Sequence, residues 1–381
     1  MKPLRVLVIT TGLGTGGAEH MLCKLIEAAD PDEITFMVLS LRNEGELGCR
    51  VRAAGVQLIC LGLPTLAAAS NFFRILRQIR TFNPDVVQGW MYHGCVFASF
   101  LSRFFLGRRP VVWGIRQTLY QIKNERFSTR FIIWLTAKLS GSVSRIIYNS
   151  KVSCLQHRAF GYSPLSDEVI PNGFDLSRYR LDAGRRALFR SAHGIEARET
   201  VIGLVARVHP MKDHKNFIGA ASKVAARFPG ARFVLAGLGS DGESIRALLE
   251  DAGILKRTIC LGRFENTELL YPGLDLLVLS SAWGEAWPNV LGEAMACGVP
   301  CVSTDVGDAA EILGAEGRIV VPGDPVALAE ACMEVIANQE NSSLRAERLR
   351  EGVQERFGIG EVLRRYLLDW EQVSLTTKSV E

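Results

Sequence analysis

The chain has 381 residues and a net charge of +4, with 44 basic residues against 40 acidic ones. Its 48% hydrophobic and 22% charged residues exclude a disordered or collagen-like protein, and the length suffices for about two or three domains. The nine cysteines include no C-x-x-C pair and lie mostly in apolar segments, so we expect reduced thiols in a cytoplasmic protein. We predict no secretory signal, because the first apolar run leads into glycines, and no transmembrane helix, because the longest uncharged span, 86–102, contains Gln, His and two Gly.

Strand-like and helix-like segments alternate along the first half of the chain, which is typical of a parallel sheet flanked by helices. The apolar runs predict strands over 5–10, 33–41, 56–61, from 85, 110–115, 145–148 and 168–170, and helices over 17–29, 45–55, 71–81 and 95–106. The pattern breaks over the polar stretch 172–182, which contains Gly173 and follows Pro171. We interpret this stretch as an interdomain linker.

A second alternating series follows the linker. It predicts strands over 200–205, 231–236, 258–261, 274–279, 300–304 and 318–321, and helices over 214–227, 243–252, 288–298, 325–338 and 343–355. We therefore predict an α/β protein of two doubly wound, Rossmann-like parallel-sheet domains facing a central cleft, with residues 1–180 in the first and 181–359 in the second. The C-terminal segment 360–381 begins with a last predicted helix, which can return to the first domain.

Two glutamates stand out in the strand–loop–helix stretch 274–298. Glu285 lies in the loop beyond the carboxyl end of a strand, where open α/β sheets bind ligands, and Glu293 lies about one and a half turns into the next helix. Pro288 fits the first helical position, and Gly298 fits the left-handed residue that ends the helix. Both carboxylates can face one crevice, although an acid beside a helix N-terminus and a solvated helix glutamate would have the same sequence pattern.

Two loops carry groups suited to a phosphate. Gly16 and Gly17 follow the first strand and open the first helix, where glycines let backbone N–H groups approach an anion. Arg207 and Lys212 flank the corresponding loop of the second domain and can clamp a diphosphate. Taken singly, a tight turn and two surface cations explain these residues equally well.

Charge is unevenly distributed between the two halves. Residues 1–180 contain 22 basic and 12 acidic residues, which leaves 22 and 28 for the rest. Between residues 86 and 166, eleven basic residues and a single acid, Glu125, alternate with aromatic residues. A solvated face is one explanation; nucleic acid and an anionic membrane surface are the others. Because no helix-turn-helix, RNP or zinc-finger pattern is present, we expect no nucleic acid and favour a peripheral protein at the inner face of the plasma membrane.

The stretch 285–300 resembles that of the retaining glycosyltransferases of the GT-B class known as family 4. That family has two glutamates separated by seven residues, the second of which opens a Glu-Ala-Met-Ala-Cys-Gly-x-Pro run, as in this chain. The likeness runs from residue 10 to about 320. The matching positions among the candidate donor-binding residues are Gly16, Gly17, Arg207, Lys212, Glu285, Pro288, Asn289, Val290 and Glu293.

The resemblance implies the GT-B architecture and transfer of a sugar from a nucleotide diphosphate sugar to an acceptor hydroxyl, with retained anomeric configuration and without a metal or other cofactor. By that likeness Glu293 holds the ribose hydroxyls, Glu285 contacts the donor sugar, and Arg207 and Lys212 bind the diphosphate. These cations would stabilise the charge that develops on the leaving group. We expect a UDP-linked donor and a saccharide or polyprenyl-linked acceptor in cell-envelope polysaccharide or glycan synthesis.

Other parts of the site are less well defined by the sequence. Arg263 and Phe264 leave a third strand of the second domain and, by the resemblance, frame the base; an ordinary strand end is the alternative. The family often carries a His near the reacting sugar where this chain has Arg116. His93, after the preceding strand, is the other candidate, although a core histidine is also compatible with its apolar surroundings.

Other functions are compatible with the same sequence features. A sugar-nucleotide epimerase or a phosphorylase can share the fold, and a nucleotide-sugar-binding protein without turnover would share the binding residues. A glycosidase with paired carboxylates fits less well, because an anionic leaving group needs cations more than a general acid.

Overall fold

The computed structural model describes residues 2–63, 66–120, 122, 126–338 and 342–378. The chain forms two compact units, the first comprising the residues up to Gly173 and those from Ile359 onwards, and the second comprising Phe174–Gly358. The change of unit therefore lies at 173/174, within the predicted linker but before the predicted boundary at residue 180. The physical reason is Phe174, whose buried ring already packs against Gly292 in the core of the second unit.

The first unit contains a seven-stranded parallel sheet. Its strands are β1 (Leu4–Thr10), β2 (Ile34–Ser40), β3 (Gln57–Cys60), β4 (Val86–Trp90), β5 (Val111–Ile115), β6 (Arg145–Tyr148) and β7 (Asp167–Val169). Their order across the sheet is β3-β2-β1-β4-β5-β6-β7. Strands β4 and β5 are buried along their whole length, as expected for apolar strands covered on both faces.

The second unit contains a six-stranded parallel sheet in the order β10-β9-β8-β11-β12-β13. Its strands are β8 (Thr200–Val205), β9 (Ala231–Ala236), β10 (Thr258–Cys260), β11 (Leu276–Leu279), β12 (Cys301–Thr304) and β13 (Arg318–Val320). In each sheet the order reverses beside the first strand, between β1 and β4 in one and between β8 and β11 in the other. Ligands bind at such switch points, beyond the carboxyl ends of the strands.

Helices cover both faces of each sheet. They are α1 (Gly17–Glu27), α2 (Gly48–Ala53), α3 (Leu66–Phe82), α4 (Met91–Phe105), α5 (Phe127–Leu139), α6 (Lys151–Phe160), α7 (Ala183–Ala192), α8 (His214–Arg227), α9 (Glu243–Asp251), α10 (Thr267–Leu270), α11 (Asn289–Ala296), α12 (Ala309–Leu313), α13 (Pro325–Ala337), α14 (Ser342–Phe357) and α15 (Ile359–Lys378). No helix among the described residues is long and apolar enough to cross a bilayer.

The C-terminal helix α15 completes the core of the first unit. It covers the same face of the sheet as α1 and α2, while α3, α4 and α5 cover the other face. Its buried Trp370 donates a hydrogen bond of 2.9 Å from the indole nitrogen to the side-chain oxygen of Gln88, in the middle of β4. The Gln88 amide in turn donates to the carbonyl oxygens of Gly89 and Val112. The only polar side chain of β4 is thus hydrogen-bonded at both ends, as burial demands.

Candidate active site

The two loops that follow β8 and β11 meet at the switch point of the second sheet. Because the strands are parallel neighbours, both loops leave the same edge. The backbone N–H of Ala282 donates to the carbonyl oxygen of Met211 at 2.8 Å, and the hydroxyl of Ser280 donates to that of Lys212 at 2.9 Å. These contacts bring Lys212 from one loop next to Glu285 from the other.

Lys212 and Glu285 form a buried ion pair. The ammonium group of Lys212 contacts Oε1 of Glu285, and only 18% and 10% of the two side chains are exposed. The Ser281 hydroxyl donates to the same carboxylate oxygen at 2.7 Å. A carboxylate this buried needs such partners, so the three side chains act as one cluster. The sequence predicted separate roles for Lys212 and Glu285 but not their direct contact.

A short turn fixes the position of Lys212. Pro210–Lys212 form one 3₁₀ turn, in which Nδ1 of His209 accepts from the backbone N–H of Met211 at 3.2 Å. Asp213 follows in the left-handed conformation, with φ of 44°, and its carboxylate caps α8 by accepting from Asn216 N–H at 3.2 Å. Apart from glycine, Asp and Asn are among the residues that tolerate this conformation best, which explains the sharp exit into α8.

The loop that carries Glu285 is held by close backbone packing. Gly284 has a φ of 78°, and a Cβ there would lie 2.5 Å from the sulfur of Met211. The backbone N–H of Asp308 donates to the carbonyl oxygen of Ala286 at 3.0 Å, and the Thr304 hydroxyl donates to that of Ser281 at 2.6 Å. The loop is therefore shaped by its neighbours before any ligand binds.

Glu293 lies on α11 in a second polar cluster. Its Oε2 accepts a hydrogen bond of 3.0 Å from the hydroxyl of Tyr271, which is fully buried. Burial, and then the charge of Glu293, raise the pKa of the Tyr271 hydroxyl and that of the neighbouring Tyr179. Both phenols therefore stay protonated and can donate. Tyr271 and Ser281 were not predicted, because neither belongs to the two-glutamate motif.

The C-terminal end of α11 agrees with the prediction, whereas its N-terminal end begins one residue later than predicted. Gly298 has a left-handed φ of 74°, as predicted. Pro288 is the N-cap, with φ of −73° and ψ of 94°, and not the first helical residue, so the helix begins at Asn289. Asn289 and Val290 then form its half-buried first turn.

Arg207 lies in solvent at the carboxyl end of β8. The loop after β9 packs against the loop that carries Arg207: the backbone N–H of Val208 donates to the carbonyl oxygen of Leu238 at 2.8 Å. Gly237 has a φ of 139°, and a Cβ there would lie 2.2 Å from the carbonyl oxygen of Ala206. Glycine is thus required for this close approach of the two loops, and Arg207 follows β8 at the same edge of the sheet as Lys212.

The side chains of Arg263 and Phe264, the two residues predicted to frame a base, have different surroundings in the structure. Arg263 is exposed and forms an ion pair of 2.8 Å with Glu265. Phe264 is half-buried, with its ring edge-on to Phe189 at 6.4 Å.

In the first unit, the glycine loop and His93 lie at the carboxyl ends of β1 and β4, which are neighbours. Gly16 is the N-cap of α1 and is exposed together with Gly17; a Cβ on Gly16 would lie 2.3 Å from the Glu19 carboxylate. His93 is exposed in the first turn of α4, so the interpretation as a core histidine is wrong. Partial desolvation of its ring and the charge of Arg42 lower its pKa, which keeps it neutral near pH 7.

Arg116 is buried and has an internal role, which corrects its prediction as a residue that contacts the sugar. Its guanidinium donates to the Asn172 side-chain oxygen and to the Tyr366 hydroxyl, and it lies 4.4 Å above the ring of Trp90. Burial lowers its pKa. Arg116 thus ties the end of β5 to the segment before the second unit and to α15. Among the described residues, no group of three or more His, Cys, Asp or Glu side chains could hold a metal ion.

Comparison with known proteins agrees with this architecture. The chain matches the family Glycosyl transferases group 1 over residues 185–355 and Glycosyltransferase Family 4 over residues 15–178. It is 26% identical over 317 residues to EpsF of Bacillus subtilis (strain 168), a glycosyltransferase by name, with 79% of each chain covered. It is 29% identical over 179 residues to N-acetyl-alpha-D-glucosaminyl L-malate synthase of Bacillus anthracis, and this match spans 46% of each protein.

Solved structures share the fold at lower identity. HepE of Anabaena superimposes with a TM-score of 0.81 at 20% identity, covering 99% of this chain and 100% of that one. A glycosyltransferase from Rickettsia africae ESF-5 gives 0.82 at 16% identity, covering 98% and 99%. The two family matches lie one in each half of the chain and together span most of it. This chain is therefore a glycosyltransferase of the GT-B fold and of the family 4 type.

Proposed function

We propose that this glycosyltransferase moves a sugar from a UDP-sugar to a saccharide or lipid-linked glycan acceptor, with retention of anomeric configuration, during cell-envelope polysaccharide or glycan synthesis. The observation that carries the proposal is the Lys212–Glu285 pair at the switch point of the second sheet, with the exposed Arg207 in the same loop after β8 as Lys212. Two cations and a shielded carboxylate at one edge suit a ligand with both a diphosphate and sugar hydroxyls.

Each of the site residues in the second unit then has a function in donor binding. Arg207 and Lys212 bind the diphosphate oxygens, and the three N–H donors of Lys212 allow it to keep Glu285 as a second partner. Glu285 accepts from donor-sugar hydroxyls, while Glu293, oriented by Tyr271, accepts from the ribose. The base lies against Arg263 and Phe264.

We propose the following reaction for these residues. The bond between the anomeric carbon and the diphosphate oxygen breaks while the acceptor oxygen bonds to the same face of the sugar. The acceptor proton passes to the departing diphosphate, whose charge Arg207 and Lys212 stabilise. We propose that these cations make a metal unnecessary. In the first unit we keep Gly16 and Gly17 as donor-binding residues, through their backbone N–H groups, and His93 as the residue that contacts the reacting sugar.

Three related structures support the choice of UDP. HepE has been solved with UDP, with UDP and glucose, and with UDP-glucose. A role in the cell envelope is supported by WaaG, described as a glycosyltransferase involved in lipopolysaccharide biosynthesis, at 15% identity and a TM-score of 0.71. We further propose that the enzyme works in the cytoplasm, at the inner face of the plasma membrane.

A thermal-shift screen against UDP-, GDP- and ADP-sugars tests the donor. We expect stabilisation by UDP-sugars, which at a hundredfold excess over the dissociation constant amounts to about 2.7 kcal/mol. Glu293→Ala should abolish this shift, whereas Glu250→Ala, which removes an exposed glutamate from α9, should keep it. Equal shifts in both variants would refute the site.

Product analysis distinguishes transfer from the other reactions. Wild-type enzyme should release UDP only when an acceptor saccharide or lipid-linked glycan is added. Conversion of the UDP-sugar to its epimer without UDP release would indicate an epimerase. A reaction that depends on inorganic phosphate would indicate a phosphorylase. If the protein binds UDP-sugar but shows no turnover with any acceptor, it is a binding protein.

A further inference from the structure

Three helices of the first unit form one layer with an unusual outer surface. The inner sides of α3, α4 and α5 share a single core on the sheet. α4 contacts α3 through the edge-on rings of Phe72 and Phe105, whose centroids lie 5.2 Å apart. We call the outer surface of this layer the aromatic–basic face.

Large aromatic side chains point outward from all three helices. They are between 42% and 81% exposed. They are Phe73 on α3, Phe100 and Phe104 on α4, and Phe127, Phe131 and Trp134 on α5. Single exposed apolar residues are ordinary, but six aromatic rings on three adjacent helices make a patch that marks an interaction surface.

The charges on the same helices all have one sign. The sequences of α3, α4 and α5 contain no Asp or Glu. Their basic side chains are all exposed and comprise Arg74, Arg77, Arg80, Arg103, Arg130 and Lys138. The opposite layer differs, because α1 and α15 include Glu19, Glu27, Glu361 and Asp369. Because α1 and α15 also carry basic residues such as Lys24 and Arg364, what sets α3, α4 and α5 apart from them is basic charge without acidic residues on the same helix.

Helix α5 shows how the two residue types are combined. Phe127, Phe131, Trp134 and Lys138 follow one another at helical spacing and form a single exposed stripe. With Ile122, Arg130 and Phe160, the three aromatic residues line a groove of about 310 Å³. The other side of α5, where Ile133 and Ala137 are buried, packs into the core of the first unit. The exposed stripe is thus additional apolar surface.

We infer that the aromatic–basic face docks on an anionic lipid bilayer. Aromatic rings suit the boundary between headgroups and acyl chains, and flexible Arg and Lys side chains reach the phosphates around them. A second copy of the chain fits poorly, because it would bring basic surfaces together without an acid to compensate. A docked enzyme would reach the lipid-linked acceptor of the proposed function; the docking itself rests on residues outside the donor site.

Vesicle co-sedimentation of the full chain tests the docking. We expect binding to vesicles that contain phosphatidylglycerol, little binding to pure phosphatidylcholine, and weakening by salt. The triple variant Phe127→Ser/Phe131→Ser/Trp134→Ser should bind at least about tenfold more weakly. Leu188→Ser is the matched control, since this leucine is 61% exposed on α7 of the second unit and should not affect binding.

The charge contribution is tested separately. Each basic residue near an anionic surface strengthens binding about fivefold, so Arg74→Gln/Arg77→Gln/Arg80→Gln should weaken it by roughly a hundredfold. The control triple variant Arg198→Gln/Arg227→Gln/Lys256→Gln removes the same charge from the second unit and should bind almost as wild type. Equal loss in both triple variants would show an effect of net charge alone and would overturn the inference.

Other outcomes also decide the matter. Equal binding to neutral and anionic vesicles would overturn the inference. The inference would also be overturned if the aromatic substitutions converted a dimer to a monomer in sedimentation velocity and left vesicle binding unchanged. The UDP-sugar thermal shift separates this test from that of the donor site. We expect the aromatic triple variant to keep the shift and Glu293→Ala to keep vesicle binding, so either proposal can fail while the other stands.

Discussion

The hydroxyl of Tyr271 donates a 3.0 Å hydrogen bond to the carboxylate of Glu293, and this contact orients the acid assigned to the ribose. Tyr271→Phe should therefore weaken UDP-sugar binding by roughly tenfold, the effect of losing a hydrogen bond to a charged group. The donor KM should rise more than kcat falls. Tyr162→Phe is the control, because that buried hydroxyl lies in the first unit and donates to the carbonyl oxygen of Ile133 at 3.2 Å. Similar donor affinities for wild type and Tyr271→Phe would remove the orienting role.

The ion pair between Lys212 and Glu285 predicts strong coupling between the two residues. Lys212→Met leaves a buried carboxylate without its cation and should lower the free energy of unfolding by about 3 kcal/mol. Glu285→Gln in the same chain should restore much of that loss, since the charge to be compensated is gone. Transfer activity should stay at least about a hundredfold down in both single variants and in the double variant. Urea unfolding measures the coupling, and strictly additive stabilities would contradict it.

The strands were largely predictable, because an apolar run such as Leu276–Leu279 is buried on both faces and needs no other information. Helix α5 was not predicted, since aromatic residues on its exposed side mask the usual amphipathic period. Helix α6 also went unpredicted although its ends are marked: Ser150 caps it by accepting from Ser153 N–H at 2.9 Å, and Gly161 ends it with a φ of 110°. These two residues were the signal that could have located it.

The motif residues of the site were predictable, but their partners were not. Lys212 and Glu285 are 73 positions apart and meet only because β8 and β11, which are not consecutive, become neighbours in the sheet. Arg116 was misassigned for the same reason. Its partner Tyr366 is 250 positions away on α15, and no local sequence pattern predicts that contact.

The different environments of Arg116 and His93 predict opposite effects of their removal. Arg116→Met should lower the free energy of unfolding by roughly 2 kcal/mol or more, because it leaves the Tyr366 hydroxyl and Asn172 buried without their donor. Amide hydrogen exchange in α15 should accelerate, while the second unit keeps its affinity for UDP-sugar. His93→Ala removes an exposed ring and should change stability by less than about 0.5 kcal/mol but lower kcat. If His93→Ala instead unfolds the protein and Arg116→Met reduces only turnover, the two assignments must be exchanged.

Buried His157 predicts how stability depends on pH. Its ring lies 2.8 Å from the Tyr92 hydroxyl and 2.7 Å from the carbonyl oxygen of Ser153, and burial lowers its pKa from 6.5 to about 4. Between these two values the unfolded chain binds a proton that the native protein does not, so stability is lost as pH falls. The loss should approach about 1.4 kcal/mol per pH unit.

Comparison with His157→Gln isolates this group from others that titrate in the same range. Asp369 has a pKa raised to about 6 by burial and acts in the opposite direction, since the native protein binds its proton first as pH falls. That contribution is common to both proteins and cancels in their difference. Urea unfolding from pH 7 to pH 4.5 should therefore show wild type losing its stability advantage over His157→Gln as the pH falls. A difference that stays constant over this range would mean that the native ring is protonated as readily as the unfolded one.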